Sequence, residues 1–298
     1  MADPATMRVN HLSIAVRDMD AALAFFRRHF PIVTMHDRLP GHTGDYTWCD
    51  FFIGDSKLEL IASAAPGSFV ERFLAKRGEG LHHLSLEVPD FERVVSDLER
   101  GGVRIVDRFE SGPDEKTAFI SPRSAFGTLI QFWKVMHAEP SYPAVAVHRY
   151  GDTDVHVRVN HVSLAVRDID ATLAFFRRFF PITLGVAPRV GYEPSFRFAN
   201  FFLSGYKIEL IAQNPATPNG FVRTFLDKRG EGFHHVSIDV DRLAPVLESL
   251  ERAGVRIVGR YRRERDGRET AFISPRSAFG VLIQFWEHAE MDAARGLE

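Results

Sequence analysis

A long internal repeat constrains this chain more than any other feature of its sequence. Residues 8–32 return at 158–182 with five differences in 25 positions. Residues 117–133 return at 270–286 with a single difference in 17 positions. Self-similarity of this length is the mark of a duplicated folding unit, and it has to be recognised before any element is assigned. The sequence therefore predicts two copies of one domain.

The repeat sets the expected domain boundaries. We predict a first domain over 7–135 and a second over 157–287, each of ordinary domain size. The segment 136–156 contains two prolines and no sustained periodicity, so we interpret it as a linker. The polar tail at 288–298 is not expected to contribute to either core.

Composition excludes several classes of protein. The formal net charge is −2, so no overall field attracts nucleic acid or an anionic membrane. No run approaches the ~20 apolar residues of a membrane-spanning helix, and the first residues lack the pattern of a signal peptide. The single cysteine, Cys49, fits a reducing compartment. We expect a soluble cytoplasmic protein with a small-molecule substrate and with neither a nucleic-acid nor a membrane partner; a homodimer remains open.

A weaker repeat inside each half predicts four modules with the element order βαβββ. In the first module HLSIAV alternates as a strand does, and Asp18 is placed to cap a following helix. Asp90 occupies the same place in the second module. This order predicts an α+β fold with helices on one face of a curved antiparallel sheet. The modules lie at about 8–62, 80–134, 158–212 and 232–287.

Strand alternation places metal-binding side chains on the face away from the helices. Leu12 and Ile14 share the face expected to pack on the helix, whereas His11 and Ser13 share the other. Each module repeats this arrangement, with a histidine on its first strand and a carboxylate or amide on its last, separated by 48, 48, 48 and 49 residues. The candidate ligands are His11, Glu59, His83 and Gln131 in the first half, and His161, Glu209, His235 and Gln284 in the second.

The shared register favours a metal site over the more ordinary interpretation. A single histidine on a strand is usually a structural polar residue, but chance gives no reason for eight positions at matched spacing. If two modules pair side by side, four ligands converge in each half. Imidazole and oxygen ligands suit Co, Mn, Ni, Fe or Zn, with up to two divalent ions per chain.

These motifs together resemble the vicinal oxygen chelate superfamily, which comprises glyoxalases, bleomycin resistance proteins and dioxygenases. The similarity lies in N-H-x-S-x-A-V, G-E-G-L-H-H-L-S-L-E-V, KLELIA and SPRSAFGTLIQFW, and within the superfamily it is greatest to methylmalonyl-CoA epimerase and glyoxalase I. The resemblance implies two domains, each an eight-stranded U-shaped sheet of paired βαβββ modules around a divalent ion. It also implies that the eight residues above are the metal ligands, and that the activity is that of a metal-dependent isomerase or lyase.

The chain departs from that family at the last-strand ligand. This residue is usually a glutamate that also acts as a base, but here it is Gln131 or Gln284, and an amide cannot accept the proton. Glu59 or Glu209 would then have to supply the base from across the site. A second base position of the family falls on Glu193 in the second half, and on Thr43 in the first.

Three functions compete at this stage. The first is an enzyme that chelates a carbonyl substrate on the metal and moves its α-proton through an enolate, as an epimerase, isomerase or lyase. The second is an Fe(II)-dependent extradiol-type or keto-acid dioxygenase, because two histidines and one glutamate can form a facial triad. The third is a resistance protein that binds a small molecule. The candidate substrate-binding residues are Trp48, Trp133, Trp286, Arg123 and Arg276, with Phe196 as a further aromatic side chain near the site.

Overall fold

The structure is a computed structural model that describes residues 7–112, 115–134, 140–217, 219–263 and 267–288. Its helices are α1 Met19–His29, α2 Phe69–Arg77, α3 Phe91–Arg100, α4 Ile169–Phe179, α5 Phe221–Arg229 and α6 Leu243–Arg252. The strands of the first half are β1 Arg8–Ala15, β2 Ile32–Thr34, β3 Leu39–Pro40, β4 Tyr46–Ile53, β5 Ser56–Ser63, β6 Gly80–Glu87, β7 Ile105–Gly112, β8 Glu115–Ile120 and β9 Leu129–Lys134. The strands of the second half are β10 Ala146–Tyr150, β11 Thr153–Ala165, β12 Ile182–Val190, β13 Phe196–Leu203, β14 Tyr206–Gln213, β15 Gly232–Val240, β16 Ile257–Arg262, β17 Glu269–Ile273 and β18 Ile283–Glu287.

Each half supplies one sheet, and the two sheets have the same strand order. The first runs β2-β4-β5-β1-β6-β9-β8-β7, and the second runs β12-β13-β14-β11-β15-β18-β17-β16. The four-module α+β arrangement and the eight-stranded path in each half are therefore confirmed. A short ninth strand is added to each path, β3 beside β4 and β10 beside β11.

The sheets are mixed, whereas the expected sheet was antiparallel. Within the first module β1 pairs with β5 in parallel, and within the second β6 pairs with β9 in parallel. The remaining pairs of each module are antiparallel hairpins. The helix after the first strand carries the chain to the far edge of the module. The antiparallel strands β2, β4 and β5 then lead back, which leaves β5 parallel to β1.

Local sequence explains where the helices begin. The side chain of Asp18 accepts a hydrogen bond from the backbone N–H of Ala21 at the start of α1. Asp90 caps α3 in the same way, as the sequence indicated. Two helices were not anticipated, α2 and α5, which connect the modules within each half. The start of α2 does have a signal, since the hydroxyl of Ser68 accepts from the N–H of Glu71 at 3.0 Å.

The segment interpreted as a linker contains secondary structure. β10 forms a hairpin with the first residues of β11, and Tyr150 at its end is 2% exposed. The described part of the segment begins at residue 140, and most of the predicted tail lies outside the described residues. The domain boundaries stay a prediction. No helix among the described residues is long and apolar enough to span a membrane.

The chain also divides into two compact units that combine segments of both halves. One unit consists of His11–His82, Glu139–Asn160 and His235–Glu298. In this unit the ring of Phe25 lies 5.9 Å from that of Phe279, and Phe30 stacks with Phe285 at 6.2 Å. The apolar face of the first module is thus buried against the fourth.

The other unit repeats this packing with the second and third modules. It consists of Met1–Asn10, His83–Ala138 and His161–His234. Phe126 contacts Phe175 with ring centroids 5.7 Å apart, and Phe132 stacks with Phe180 at 6.3 Å. Aromatic pairs of this kind stabilise the fold by more than the burial of their apolar area alone would give.

Close backbone packing explains why two loop motifs are retained in both halves. Gly280 of the second SPRSAFG turn has φ +77°, and a Cβ there would lie 1.7 Å from the carbonyl oxygen of Glu79 in the first KRGEG turn. Gly127 stands in the same relation to the carbonyl oxygen of Glu231. Only glycine fits both the backbone conformation and the contact.

Candidate metal centres

In the first half the register of β1 and β5 brings an imidazole and a carboxylate together. Ser13 is the Cα partner of Glu59 in this parallel pair, and its hydroxyl donates to Glu59 Oε2 at 2.6 Å. His11, two residues earlier on the same face, places Nε2 at 3.7 Å from Glu59 Oε2. All three residues are buried.

His83 on β6 completes a group of three possible ligands. His11, Glu59 and His83 each offer one ligand atom, and these atoms all lie within 4.8 Å of one another. A cation held about 2.0 to 2.2 Å from each ligand atom needs neighbouring ligand atoms roughly 3 to 3.5 Å apart. The observed separations require only small side-chain movements to reach that range.

The second half contains the corresponding group. Ser163 is the Cα partner of Glu209, and His161 Nε2 lies 3.5 Å from Glu209 Oε2. His161, Glu209 and His235 again offer ligand atoms within 4.8 Å of one another. Glu209 is half-buried, whereas Glu59 is buried.

The two glutamines lie on the same sheet face as the histidine of their own module. Gln131 is the Cα partner of Ser85, and Gln284 is the Cα partner of Ser237. Each of these serines follows its histidine by two positions and therefore points to the same face as the histidine. Gln131 Oε1 is buried and has no hydrogen-bond partner within the described part of the chain. A buried carbonyl oxygen without a donor is what an additional cation ligand would leave in a structure that holds no ion.

The electrostatics of the first half favour occupation by a cation. Burial raises the pKa of Glu59 to about 8, helped by the charge of Asp50 and opposed by the hydrogen bond from Ser13 and the charge of Lys57. Burial, together with the charge of Lys57, lowers the pKa of His11 well below its usual value. A neutral imidazole is ready to bind a metal, and a divalent ion would hold the buried carboxyl in its ionised form. The donor set therefore fits a divalent metal.

Aromatic side chains adjoin each centre. In the first half Ala15 and Ile61 belong to a buried cluster against which Tyr46, Trp48 and Phe69 pack, with Phe73 also in contact. In the second half the corresponding cluster includes Ala165, Ile211 and Phe196, with Phe198 and Phe225 packed on it. Helices α2 and α5 supply part of each aromatic wall. Sequence reasoning missed these helical residues, although the spacing of Phe69 and Phe73 is that of one helix face.

The histidines adjacent to the ligands face these aromatic clusters. His82 lies with its ring centroid 4.6 Å from that of Phe73, and His234 lies 4.8 Å from Phe225. Burial lowers the pKa of each of them to about 4. His82 and His234 belong to neither ligand group, in agreement with their position on the apolar side of the strand alternation.

The predicted substrate-binding tryptophans lie at three positions in the sheets. Trp48 stacks edge-on with His36 at 4.5 Å and donates from Nε1 to the carbonyl oxygen of Pro40. Trp133 and Trp286 each follow the glutamine of their strand by two residues and so share its face. The guanidinium of Arg263 lies 4.1 Å above the ring of Trp286.

The remaining predicted residues lie on surface turns. Arg123 and Arg276 are exposed in the two SPRS turns. Glu193 is exposed in the loop between β12 and β13, where its Oε1 accepts a hydrogen bond from Ser195 at 2.5 Å. Thr43, its counterpart in the first half, donates instead to Asp45. Their roles toward a substrate stay predictions.

Comparison with known families identifies the fold and the repeat together. A model of the Glyoxalase/Bleomycin resistance protein/Dioxygenase superfamily matches residues 10–119 and again residues 160–272. The chain belongs to this superfamily. The two matches fall one in each half and end before β9 and β18, and the predicted resemblance is confirmed.

Relatives within the superfamily correspond to one half of this chain. The uncharacterized protein YqjC of Bacillus subtilis is 33% identical over 134 residues, which cover 44% of this chain and 91% of YqjC. The ethylmalonyl-CoA/methylmalonyl-CoA epimerase of Cereibacter sphaeroides is 28% identical over 130 residues, covering 43% of this chain and 95% of that enzyme. The human mitochondrial methylmalonyl-CoA epimerase is 29% identical over 128 residues, covering 42% of this chain and 72% of the human protein.

A solved structure matches both halves at once. A mutant of 4-hydroxymandelate synthase from Streptomyces coelicolor superposes with a TM-score of 0.66, covering 94% of this chain and 92% of that chain. The identity is 16%, so the match shows a shared fold over both halves.

Proposed function

We propose that this protein is a metal-dependent enzyme that binds a carbonyl compound through two of its oxygens and moves the proton on the adjacent carbon. The observation that supports it is the His–Glu–His group on the open sheet face of each half, with a glutamine in register on the same face. When bound, a divalent cation would polarise the carbonyl, make the neighbouring C–H more acidic and stabilise the enolate. The eight residues His11, Glu59, His83, Gln131, His161, Glu209, His235 and Gln284 are the proposed ligands.

Neighbouring side chains orient the proposed ligands before a substrate binds. The hydrogen bond from Ser13 fixes Oε2 of Glu59, the oxygen that lies 3.7 Å from His11 Nε2. The rings of Phe119 and Phe272 lie edge-on to His83 and His235, with centroids 5.7 and 6.1 Å apart, and restrict the orientation of each imidazole. Fixed ligand orientations reduce the rearrangement that binding requires.

The proton must be transferred by a carboxylate. Gln131 and Gln284 cannot accept it, so we propose Glu59 and Glu209 as the bases that face the ligand sites, with Glu193 as a second base in the second half. Glu193 is held by Ser195 in an exposed loop, from which it would have to reach the substrate. A base on each side of the reacting carbon would allow epimerisation.

The aromatic clusters suggest an apolar portion in the substrate. We propose that Trp48 and its neighbours on α2 contact this portion in the first half, and that Trp133 and Trp286 lie beside the glutamine ligands. Arg123 and Arg276 are proposed to meet an anionic group at the entrance. Because two curated relatives are named as epimerases of CoA thioesters, methylmalonyl-CoA and ethylmalonyl-CoA are the first substrates to test.

An Fe(II)-dependent dioxygenase is the second candidate. The specific observation in its favour is that each ligand group contains two histidines and one carboxylate, which is the composition of the facial triad of such enzymes. In this interpretation the two histidines and the glutamate of each group would hold the iron without the glutamine, and the iron would supply the chemistry with O₂. The predicted cytoplasmic location is also part of this proposal. So is the identity of the bound ion, which is to be chosen among Co, Mn, Ni, Fe and Zn.

One experiment separates these functions. The purified full chain is stripped with a chelator and reloaded separately with Co²⁺, Mn²⁺, Zn²⁺ or Fe²⁺. Deuterium incorporation at the α-carbon of methylmalonyl-CoA, of a hemithioacetal and of a keto acid is then followed by mass spectrometry. The control is the double variant His11→Ala/His161→Ala. We expect exchange with at least one redox-inert ion and none with the control.

The other outcomes are equally informative. Oxygen consumption that occurs only with Fe²⁺, without exchange, would establish the dioxygenase. Equal binding of a small molecule by metal-free and metal-loaded protein, with no turnover, would establish a resistance protein and overturn our proposal.

A further inference from the structure

A buried ion pair lies beside the ligands of the first half. Asp50 is the Cα partner of Glu59 across β4 and β5, so both side chains point to the same sheet face. The Asp50 carboxylate lies 3.5 Å from the Lys57 ammonium, and their side chains are only 6% and 2% exposed. Lys57 precedes Glu59 by two residues and therefore shares its face.

The second half lacks this ion pair. Asn200 is the Cα partner of Glu209 and so occupies the position of Asp50. Its Oδ1 accepts a hydrogen bond from the backbone N–H of Val186 at 3.0 Å, beside a bulge in β12. Lys207 corresponds to Lys57 and is retained, but it is half-buried rather than buried.

The substitution changes the charge that a cation would experience. In the first half Asp50 balances the charge of Lys57, which leaves the carboxylate of Glu59 to attract the ion. In the second half the neutral Asn200 contributes no negative charge beside Glu209. The ligands of the first half are also more buried, so that charge differences are screened less.

We infer that Asp50 makes the first half the tighter of the two cation sites, although it is not itself a ligand. The inference rests on the proposed function only in requiring that both groups bind a divalent ion. It assigns unequal occupancy to the two halves, so that at limiting metal the first site fills before the second. The tighter site would keep its ion through purification, while the weaker site would exchange it with the surrounding solution.

The test measures metal affinity in full-length proteins that retain one site each. His161→Ala/His235→Ala leaves the first site, and His11→Ala/His83→Ala leaves the second. Each is titrated with Co²⁺ in competition with a chelator of known affinity, and binding is followed by the visible absorption of the bound ion. We expect the first site to bind at least about tenfold more tightly.

Exchange variants attribute the difference to one position. Asp50→Asn should weaken the first site by at least tenfold, because it leaves the Lys57 charge buried beside the ligands. Asn200→Asp should strengthen the second site severalfold, and it retains the oxygen that accepts from Val186. The double variant Asp50→Asn/Lys57→Met removes both charges and should recover most of the lost affinity, which also controls for a folding defect in the single variant.

The outcomes separate this inference from the proposed function. Equal affinities in the two single-site proteins, unchanged by Asp50→Asn and Asn200→Asp, would overturn the role of Asp50 and leave both metal centres in place. Absence of Co²⁺ binding at either site would instead overturn the proposed function. Recovery in the double variant is a readout that a purely structural role for Asp50 would not produce.

Discussion

In the first half the carboxylate of Glu59 accepts a hydrogen bond from Ser13, whereas in the second half Ser163 occupies the same register position beside Glu209 and its buried hydroxyl has no partner among the described residues. The second half instead has a loop carboxylate, Glu193, where the first has Thr43. The ligand positions are shared by both centres, but the side chains that support them differ. The comparison teaches that a duplicated group can preserve its candidate ligands while the polar side chains around its two copies diverge.

The largest expected effect comes from removing one ligand in either half. His83→Ala and His235→Ala should each reduce the bound metal from two ions per chain to one, because each removes an imidazole from its group. The lost affinity should exceed the ~10- to 100-fold that removal of a supporting residue typically costs. Metal analysis by mass spectrometry measures this after equilibrium dialysis against a saturating concentration of the ion, which fills the weaker site as well.

The adjacent histidines provide a matched control. His82→Ala and His234→Ala change a neighbouring imidazole that belongs to neither group, and should leave two ions bound. Loss of an ion in these variants, with the ligand variants unaffected, would show that the ligand assignment is wrong by one residue.

The next effect distinguishes the halves catalytically. Glu193→Gln should lower the rate of α-proton exchange by about 10²- to 10⁴-fold if the second half provides the turnover, since that is the usual contribution of a positioned acid or base. Thr43→Val, at the corresponding position of the first half, should leave the rate unchanged. Exchange is measured on metal-loaded protein, and equal rates in Glu193→Gln and the unmodified chain would remove Glu193 from the mechanism.

The acid sensitivity contributed by His82 and His234, the histidines adjacent to the candidate ligands, should be the same in both halves. His82 and His234 have a folded-state pKa of about 4, so between pH 6.5 and 4 the unfolded chain binds a proton that the folded chain does not. Stability should therefore fall as the pH falls through this window, by up to roughly 3 kcal/mol for each histidine. Below pH 4 these two residues should cause no further loss.

Urea unfolding of metal-free protein between pH 7 and pH 4.5 measures this effect. His82→Gln and His234→Gln should each flatten the dependence by a similar amount. A dependence that neither variant alters would assign the acid sensitivity to other groups.

The smallest effect tests the serine difference. Ser13→Ala should destabilise metal-free protein by about 1 to 2 kcal/mol, because it removes a buried hydrogen bond to the Glu59 carboxyl. Ser163→Ala should have little effect, since its hydroxyl has no partner among the described residues. Thermal or urea unfolding compares the two, and equal losses would mean that the hydroxyls play the same part.

Much of this architecture could be predicted because the same sequence pattern occurs in all four modules, so that each module can be checked against the others. Strand alternation separated His11 and Ser13 from Leu12 and Ile14, and the same alternation in four modules predicted where the ligand groups would form. The resemblance to the superfamily supplied the expectation that two modules form one eight-stranded sheet in each half. These features depend on local periodicity, which sequence records directly.

Other features depend on interactions that sequence periodicity does not record. Helix α2 has only nine residues between two strands, so the spacing of Phe69 and Phe73 gives a single helical repeat, too little to predict a helix. The pairing of the first module with the fourth could not be inferred, because Phe30 and Phe180 lie in nearly identical sequences and either could pack on Phe132 or Phe285. Asp50 was not identified from the sequence, because its neighbours Trp48, Cys49, Phe51 and Phe52 are all apolar or aromatic.

The crossed arrangement of modules has a consequence for how this chain can be divided. Cutting between β9 and β10 would yield two fragments with intact sheets. Each fragment would expose phenylalanine side chains that stack against the other half, as Phe30 does against Phe285 and Phe132 against Phe180. Separate expression of either piece should thus give aggregation, or self-association of identical copies through those surfaces, and mixing the pieces should restore a noncovalent pair. In the intact polypeptide the covalent connection between the halves keeps the two phenylalanine surfaces close together, which gives each a high effective concentration for the other.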